Sequence, residues 1–165
     1  MKKRSIKNLL RRQENNMLNK LIKYTLKQGI ALEYTDASFV HWKEGLRPNI
    51  PSKITLEDSG NEERMMWDLL HELGHVELRK DWKVYKMMYP ASALADERWL
   101  RHGETKYRRR NGYKVDTVRE EVDAWQRGLL IAHRLRIDVD VPAYWEYANK
   151  ALATYVRHYG EKLTR

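Results

Sequence analysis

The sequence predicts an α+β fold in a single domain, and three observations carry that expectation. Amphipathic stretches of helical period open and close the chain. Short β-prone runs punctuated by Gly and Pro lie between residues 30 and 58. Helix start signals stand before each of the later periodic stretches. At 165 residues the chain matches one domain and is long enough to bury a core.

Residues 5 to 28 read as a helix. Ile6, Leu9, Leu10, Met17, Leu21 and Tyr24, with Leu18 and Ile22, recur at helical spacing, and Gly29 supplies the stop. Ile30 to Tyr34, Phe39 to Trp42 and Lys53 to Glu57 then read as strands of a small sheet. Ser59 and Glu62 form a capping box for a helix running to about Arg79. Residues 81 to 115 read as a long irregular insert near the cleft, with one short helix from about Ala91 to Leu100. Thr117 and Glu120 make a second capping box, for a helix to about Leu135. Asp140 and Pro142 start the last helix, which ends near Tyr159 and Gly160.

Composition narrows the function classes. No apolar run reaches the 18 or so residues that a membrane-spanning helix needs, and the basic N-terminus lacks the apolar segment of a secretory signal. Cysteine is absent, which removes disulfides, a thiolate nucleophile and cysteine-ligated zinc. A cytoplasmic setting is the expectation, and any metal must be held by His, Asp or Glu. The net charge of +9 is concentrated near the start. Residues 1 to 27 carry nine Lys or Arg against Glu14 alone, and a second basic cluster spans residues 98 to 114. Such patches suit a nucleic acid or an acidic partner, although a solvated helix face is the plainer expectation for both.

The chemistry concentrates in "MMWDLLHELGHVELRK", residues 65 to 80. On a helix, His71 and His75 lie one turn apart on one face, so both imidazoles reach a single ion. Glu72 is turned about 100° from His71, placed to contact a water held by that ion without ligating it. That division of labour is what metal-assisted hydrolysis requires: the ion activates water and polarises a carbonyl, and the carboxylate shuttles the proton. Gly74 leaves one side of the helix bare, where another element can approach. The plain alternative is a surface helix with two incidental histidines.

A catalytic zinc takes three protein ligands, and four positions compete for the third. Asp81 stands at the spacing of an HExxHxxGxxH site, but Leu78 replaces the turning glycine. His102 lies in "RHGET", similar to the His-Gly pair of SprT-like proteases. Glu97 has the spacing without a surrounding pattern. Glu121, in "REEVDAWQRGLLIAHRLRIDVDVP", lies early in a helix whose Ala124, Gly128 and Ala132 face permits close packing on the HExxH helix. Two adjacent helices, one giving both histidines and the other a carboxylate, make a gluzincin-type site. Glu120 is expected as the capping residue and Asp123 as a solvated or indirectly supporting neighbour.

"ITLEDSGNEERMMWDLLHELGHVEL" followed by "EEVDAWQRGLLIAHRLRIDVDVP" resembles the ImmA/IrrE-type metallopeptidases, over residues 53 to 80 and 119 to 142. The resemblance implies a zincin-like domain, zinc bound by His71, His75 and Glu121, and a phage or mobile-element origin with a regulator protein as the type of substrate. The chain departs from the family pattern at Asp123, at Trp125 and in the 45 residues between His75 and Glu121.

The leading expectation is therefore a zinc-dependent endopeptidase with Glu72 as general base and acid. Tyr107, Tyr113, His133 and Arg108 to Arg110 are the candidate oxyanion stabilisers. Ile54 and Leu56 alternate on a strand where a peptide can add as an extra strand, although ordinary core packing is the plainer role of the two. Two rivals remain: a nucleic-acid-binding protein that works through its basic N-terminal helix, and a SprT-like protease acting on DNA-bound proteins. The tryptophans sit mostly at helix-core spacing and show no base-stacking motif.

Overall fold

The computed structural model describes residues 17–42 and 49–160. The chain is mixed α+β and mostly helical. Helix α1 (Met17–Lys27) buries Leu18, Leu21 and Ile22, and Gly29 ends it in the left-handed region at φ 74°. The expected helix over 5 to 28 is thus described in its second half. Its first half, with Lys7, Arg11 and Arg12, lies outside the described residues, as do Lys2, Lys3 and Arg4 before it.

Strands β1 (Ala31–Thr35), β2 (Phe39–Trp42) and β3 (Pro51–Glu57) follow. The sheet order is β1-β3-β2, with β3 parallel to β1 and antiparallel to β2. β3 is therefore the central strand, and its Ile54 and Leu56 are fully buried. Their burial matches the plainer expectation of core packing and corrects the alternative of a strand open to an added peptide. β1 and β2 are the edge strands, and β2 is the one that lines the cleft described below.

Helix α2 (Glu62–Arg79) is the spine of the fold, and Leu69, Leu70 and Leu73 on it are buried in the main core. Its N-cap is Asn61 rather than Ser59: the Asn61 side chain accepts from the amides of Glu63 and Arg64 at 3.0 and 3.1 Å. Ser59 instead bonds locally to Asn61.

The segment after α2 is not irregular. It forms α3 (Trp82–Met88), α4 (Pro90–His102) and a 3-10 turn (Lys106–Arg109). Asp81 caps α3, and Gly103 ends α4 at φ 64°. Tyr85, Tyr89 and Ala93 join Leu78 and Ala124 in a second, smaller apolar cluster.

Helix α5 (Asn111–Arg134) begins six residues before the expected Thr117 cap. Thr117 sits inside the helix with its hydroxyl donating to the Tyr113 carbonyl, and Glu120 is buried among charged partners. The capping-box reading fails because the chain is already helical from Asn111, so Thr117 is an interior residue with no terminus to cap. Asp116 of α5 accepts from the first amides of α4, Ala91 at 2.7 Å and Ser92 at 3.2 Å, tying the two helices together. The last helix, α6 (Val141–Gly160), starts as expected, with the Asp140 carboxylate accepting from Ala143 N. No helix among the described residues is long and apolar enough to cross a membrane.

Candidate metal centre

The centre exists because α2 and α5 approach closely. A side chain at Gly74 would overlap the Ala124 carbonyl, and one at Gly128 would sit 2.9 Å from the Leu70 carbonyl and 2.7 Å from the Tyr144 hydroxyl. Only glycine fits at either contact, and the Ala124–Gly128–Ala132 stripe faces α2 as expected. Tyr144 of α6 locks the pair by donating to the Trp125 carbonyl at 2.9 Å.

This packing brings Glu121 beside the two histidines. The Nε2 atoms of His71 and His75 lie 3.2 Å apart. Glu121 Oε2 is 3.2 Å from His71 Nε2, and Oε1 is 3.6 Å from His75 Nε2. Ligand atoms about 2.0–2.1 Å from a tetrahedral zinc lie roughly 3.3 Å from one another, and each histidine nitrogen lies near that spacing from the other and from one of the two Glu121 oxygens. Glu121 Oε2 is buried without a hydrogen-bond partner among the described residues. Two imidazoles facing each other this closely cannot both carry a proton on Nε2. The residues present therefore fit a divalent cation, and His71, His75 and Glu121 form the buried group that could hold one.

The competing third ligands are occupied elsewhere. Asp81 accepts from the amides of Lys83 and Val84. Glu97 accepts from the Trp82 indole and pairs with Lys86. His102 ends α4 exposed to solvent.

Electrostatics separate the roles. Burial lowers the pKa of His71, which favours the neutral imidazole that ligation needs. Burial opposes ionisation of Glu121, but His75 and His71 outweigh it and hold the carboxyl far below its usual range. His75 shows the reverse balance, with Glu121 and Glu120 overcoming burial to raise its pKa. Glu72 differs from both carboxylates beside it. Burial pushes it up to about 8 against the pull of His75, while Glu121 and Asp68 push further in the same direction. The Val40 backbone amide of β2 donates to it.

A buried polar network supports His75. Its Nδ1 lies 3.3 Å from Glu120 Oε1, which also accepts from Arg79 Nε at 3.1 Å. Glu120 Oε2 accepts from Arg79 at 3.3 Å and from the Tyr85 hydroxyl at 2.6 Å. Arg79 donates in turn to Asp96 at 2.7 Å and lies against the rings of Trp42 and Tyr85. Burial works against the Glu120 charge, yet Arg79, His75 and Tyr85 hold its carboxyl down to about 2. A carboxylate so saturated with donors keeps a proton on His75 Nδ1 and leaves the Nε2 lone pair for an ion. Trp125 stacks on His71 with ring centroids 4.2 Å apart, fixing the other imidazole.

A cavity of about 210 Å³ opens over these groups. Ser38, Phe39, Val40 and Trp42 line one side, Ser92, Asp96 and Tyr113 the other, and Tyr155 of α6 closes it above Glu121. The segment read as an insert near the cleft thus forms part of its wall. Of the proposed oxyanion stabilisers, only Tyr113 lines this cavity. Tyr107 is ringed by Arg98, Lys106 and Arg110, and His133 is exposed. Asp123 accepts from the Tyr89 hydroxyl.

The sequence reading missed Arg79, Glu120 and Tyr155 as members of the site. Arg79 left a signal, since His71, His75 and Arg79 fall at i, i+4 and i+8 on one helical stripe. Tyr155 left none. No family model, no curated protein and no solved structure matches this chain.

Proposed function

We propose that the protein is a zinc-dependent endopeptidase with a zincin-like centre of the gluzincin type, in keeping with the ImmA/IrrE-like pattern of its two motifs. The observation that carries this reading is the three-donor face of His71, His75 and Glu121 with Glu72 beside it but outside the ligand set. Zinc held there would supply Lewis acidity, lowering the pKa of a water and polarising the scissile carbonyl.

The chain's own residues would do the rest. Glu72 takes the proton of the attacking water and returns it to the leaving amine, a role suited to a carboxyl whose burial raises its basicity. Glu120 and Arg79 keep His75 aimed, and Trp125 keeps His71 aimed. Tyr155 is half-buried beside Glu121, and burial together with that carboxylate raises its pKa, so it stays a hydrogen-bond donor. With Tyr113 it is the group placed to stabilise charge developing on the carbonyl oxygen. The free edge of β2 borders the cleft, where an extended peptide can pair with it through backbone hydrogen bonds.

The test uses zinc-loaded protein and a pool of denatured proteins, with new N-termini counted by mass spectrometry. Glu72→Gln should retain its zinc and lose hydrolysis by about 10²–10⁴-fold, the usual worth of a positioned acid–base group. Undiminished cleavage by Glu72→Gln would contradict the mechanism.

A further inference from the structure

A second cavity, of about 350 Å³, adjoins the cleft. Arg108 and Arg109 line it from the 3-10 turn, Tyr113 and Lys114 from the start of α5, and His158 and Tyr159 from the end of α6. No carboxylate among the described residues lines it. Tyr113 lines the cleft as well, so one aromatic ring separates the basic cavity from the metal centre's cavity.

Of Arg108, Arg109 and Lys114, only Arg108 meets a carboxylate among the described residues. Arg108 reaches Asp96 only at 3.5 Å, and Asp96 is held more closely by Arg79 at 2.7 Å. Its Nε is buried with no hydrogen-bond partner. Lys114 is only 9 % exposed, and its ammonium meets the neutral Asn111 side chain at 3.3 Å. Among the described residues neither Lys114 nor Arg109 pairs with a carboxylate. Removing an ammonium from water beside two guanidiniums is costly without an anion. An incoming carboxylate would relieve that cost and could accept two parallel bonds from a guanidinium.

We propose that this cavity is a subsite for an acidic side chain, aspartate or glutamate, of the peptide substrate. The proposal rests on the peptidase reading of the adjoining cleft. Because the two cavities share Tyr113, the subsite would take a residue near the scissile bond rather than at it. Nucleic acid is the weaker match, because backbone phosphates call for a stripe of cations along a groove, whereas these converge on one cavity of side-chain size beside the cleft. The basic run noted at residues 98 to 114 thereby gains a role in selectivity.

The test reads binding and needs no turnover. Fluorescence anisotropy of zinc-loaded Glu72→Gln protein would compare a labelled six-residue glutamate peptide, its glutamine counterpart and a short single-stranded oligonucleotide. The glutamate peptide should bind at least 10-fold tighter than the glutamine peptide. Adding Arg109→Glu and Lys114→Met should remove that difference while zinc content stays unchanged. Because Lys114 is buried, Arg109→Glu alone, at an exposed position, serves as a second variant and should remove part of it. Equal binding of the two peptides, or a preference untouched by both variants, would overturn the subsite. Oligonucleotide binding that exceeds peptide binding and is lost in the same variants would assign the cavity to nucleic acid instead. Absence of cleavage by the zinc-loaded parent would overturn the peptidase reading and is told apart from failure of the subsite, because the subsite is read from binding alone.

Discussion

Helices α2 and α5 furnish one metal centre by different rules. α2 carries its chemistry locally: His71, Glu72 and His75 need only a helical backbone to share a face or to flank it. α5 carries its chemistry through contacts 41 to 50 positions away in sequence. Glu121 matters because it meets His71 and His75, and Glu120 because it meets His75 and Arg79. On the first helix a spacing is enough to name the residues. On the second, adjacent glutamates take different tasks, and only packing tells them apart.

The contrast can be broken at the contact that makes it. Gly74→Ala places a methyl group against the Ala124 carbonyl and must force the helices apart. Overpacking of a tight core contact costs about 1–3 kcal/mol or more, and backbone on both sides leaves no flexible side chain to yield. Thermal unfolding should show that loss, and isothermal titration should show zinc affinity falling with it, although every ligand is intact. Normal affinity in a destabilised variant would mean that the donors do not depend on this packing.

A smaller effect isolates the network behind His75. Glu120→Gln keeps the shape of the side chain but weakens its hold on the Nδ1 proton and on Arg79. Partners of this kind are typically worth 10–100-fold in metal affinity, which competition with a chromogenic chelator would measure. An unchanged affinity would reduce Glu120 to a stabiliser of the fold.

The smallest predicted effect concerns Asp68, one turn before the site on α2. Its pKa is raised by burial, against the hydrogen bond from the Tyr147 hydroxyl at 3.0 Å. A carboxyl with a raised folded pKa favours the folded state while protonated in both states. Stability should therefore fall as pH climbs from the unfolded value near 3.9 through the raised folded one. Asp68→Asn should flatten that slope and raise the melting temperature at neutral pH. A steeper slope or a lower melting temperature would reverse the assignment.

These contrasts also explain what the sequence could show. The strands and the HExxH helix were legible because period and caps are local. Phe39 to Trp42 was placed to the residue, and Asp140 was found as a start signal. The ligand carboxylate was reached through the small-residue face of α5, which is itself a local pattern. Three things were not legible. Asn61 took the cap from Ser59 two residues away. Residues 111 to 116 were expected outside the helix, yet α5 starts at Asn111, and its Asp116 is tied to the amides that open α4. The support of His75 came from Arg79, Asp96, Tyr85 and Glu120, residues far apart in sequence, of which Tyr85 stands on a helix where an irregular stretch was expected.

The central claim is that one ion is held by His71, His75 and Glu121. Zinc content per chain, measured by emission spectroscopy on protein purified without chelator, tests it most directly when Glu121→Ala and His102→Ala are measured beside the parent. The account predicts about one equivalent in the parent and in His102→Ala, and a strongly reduced content in Glu121→Ala. Well under one equivalent in the parent even after zinc is added, or loss in His102→Ala with retention in Glu121→Ala, would contradict it.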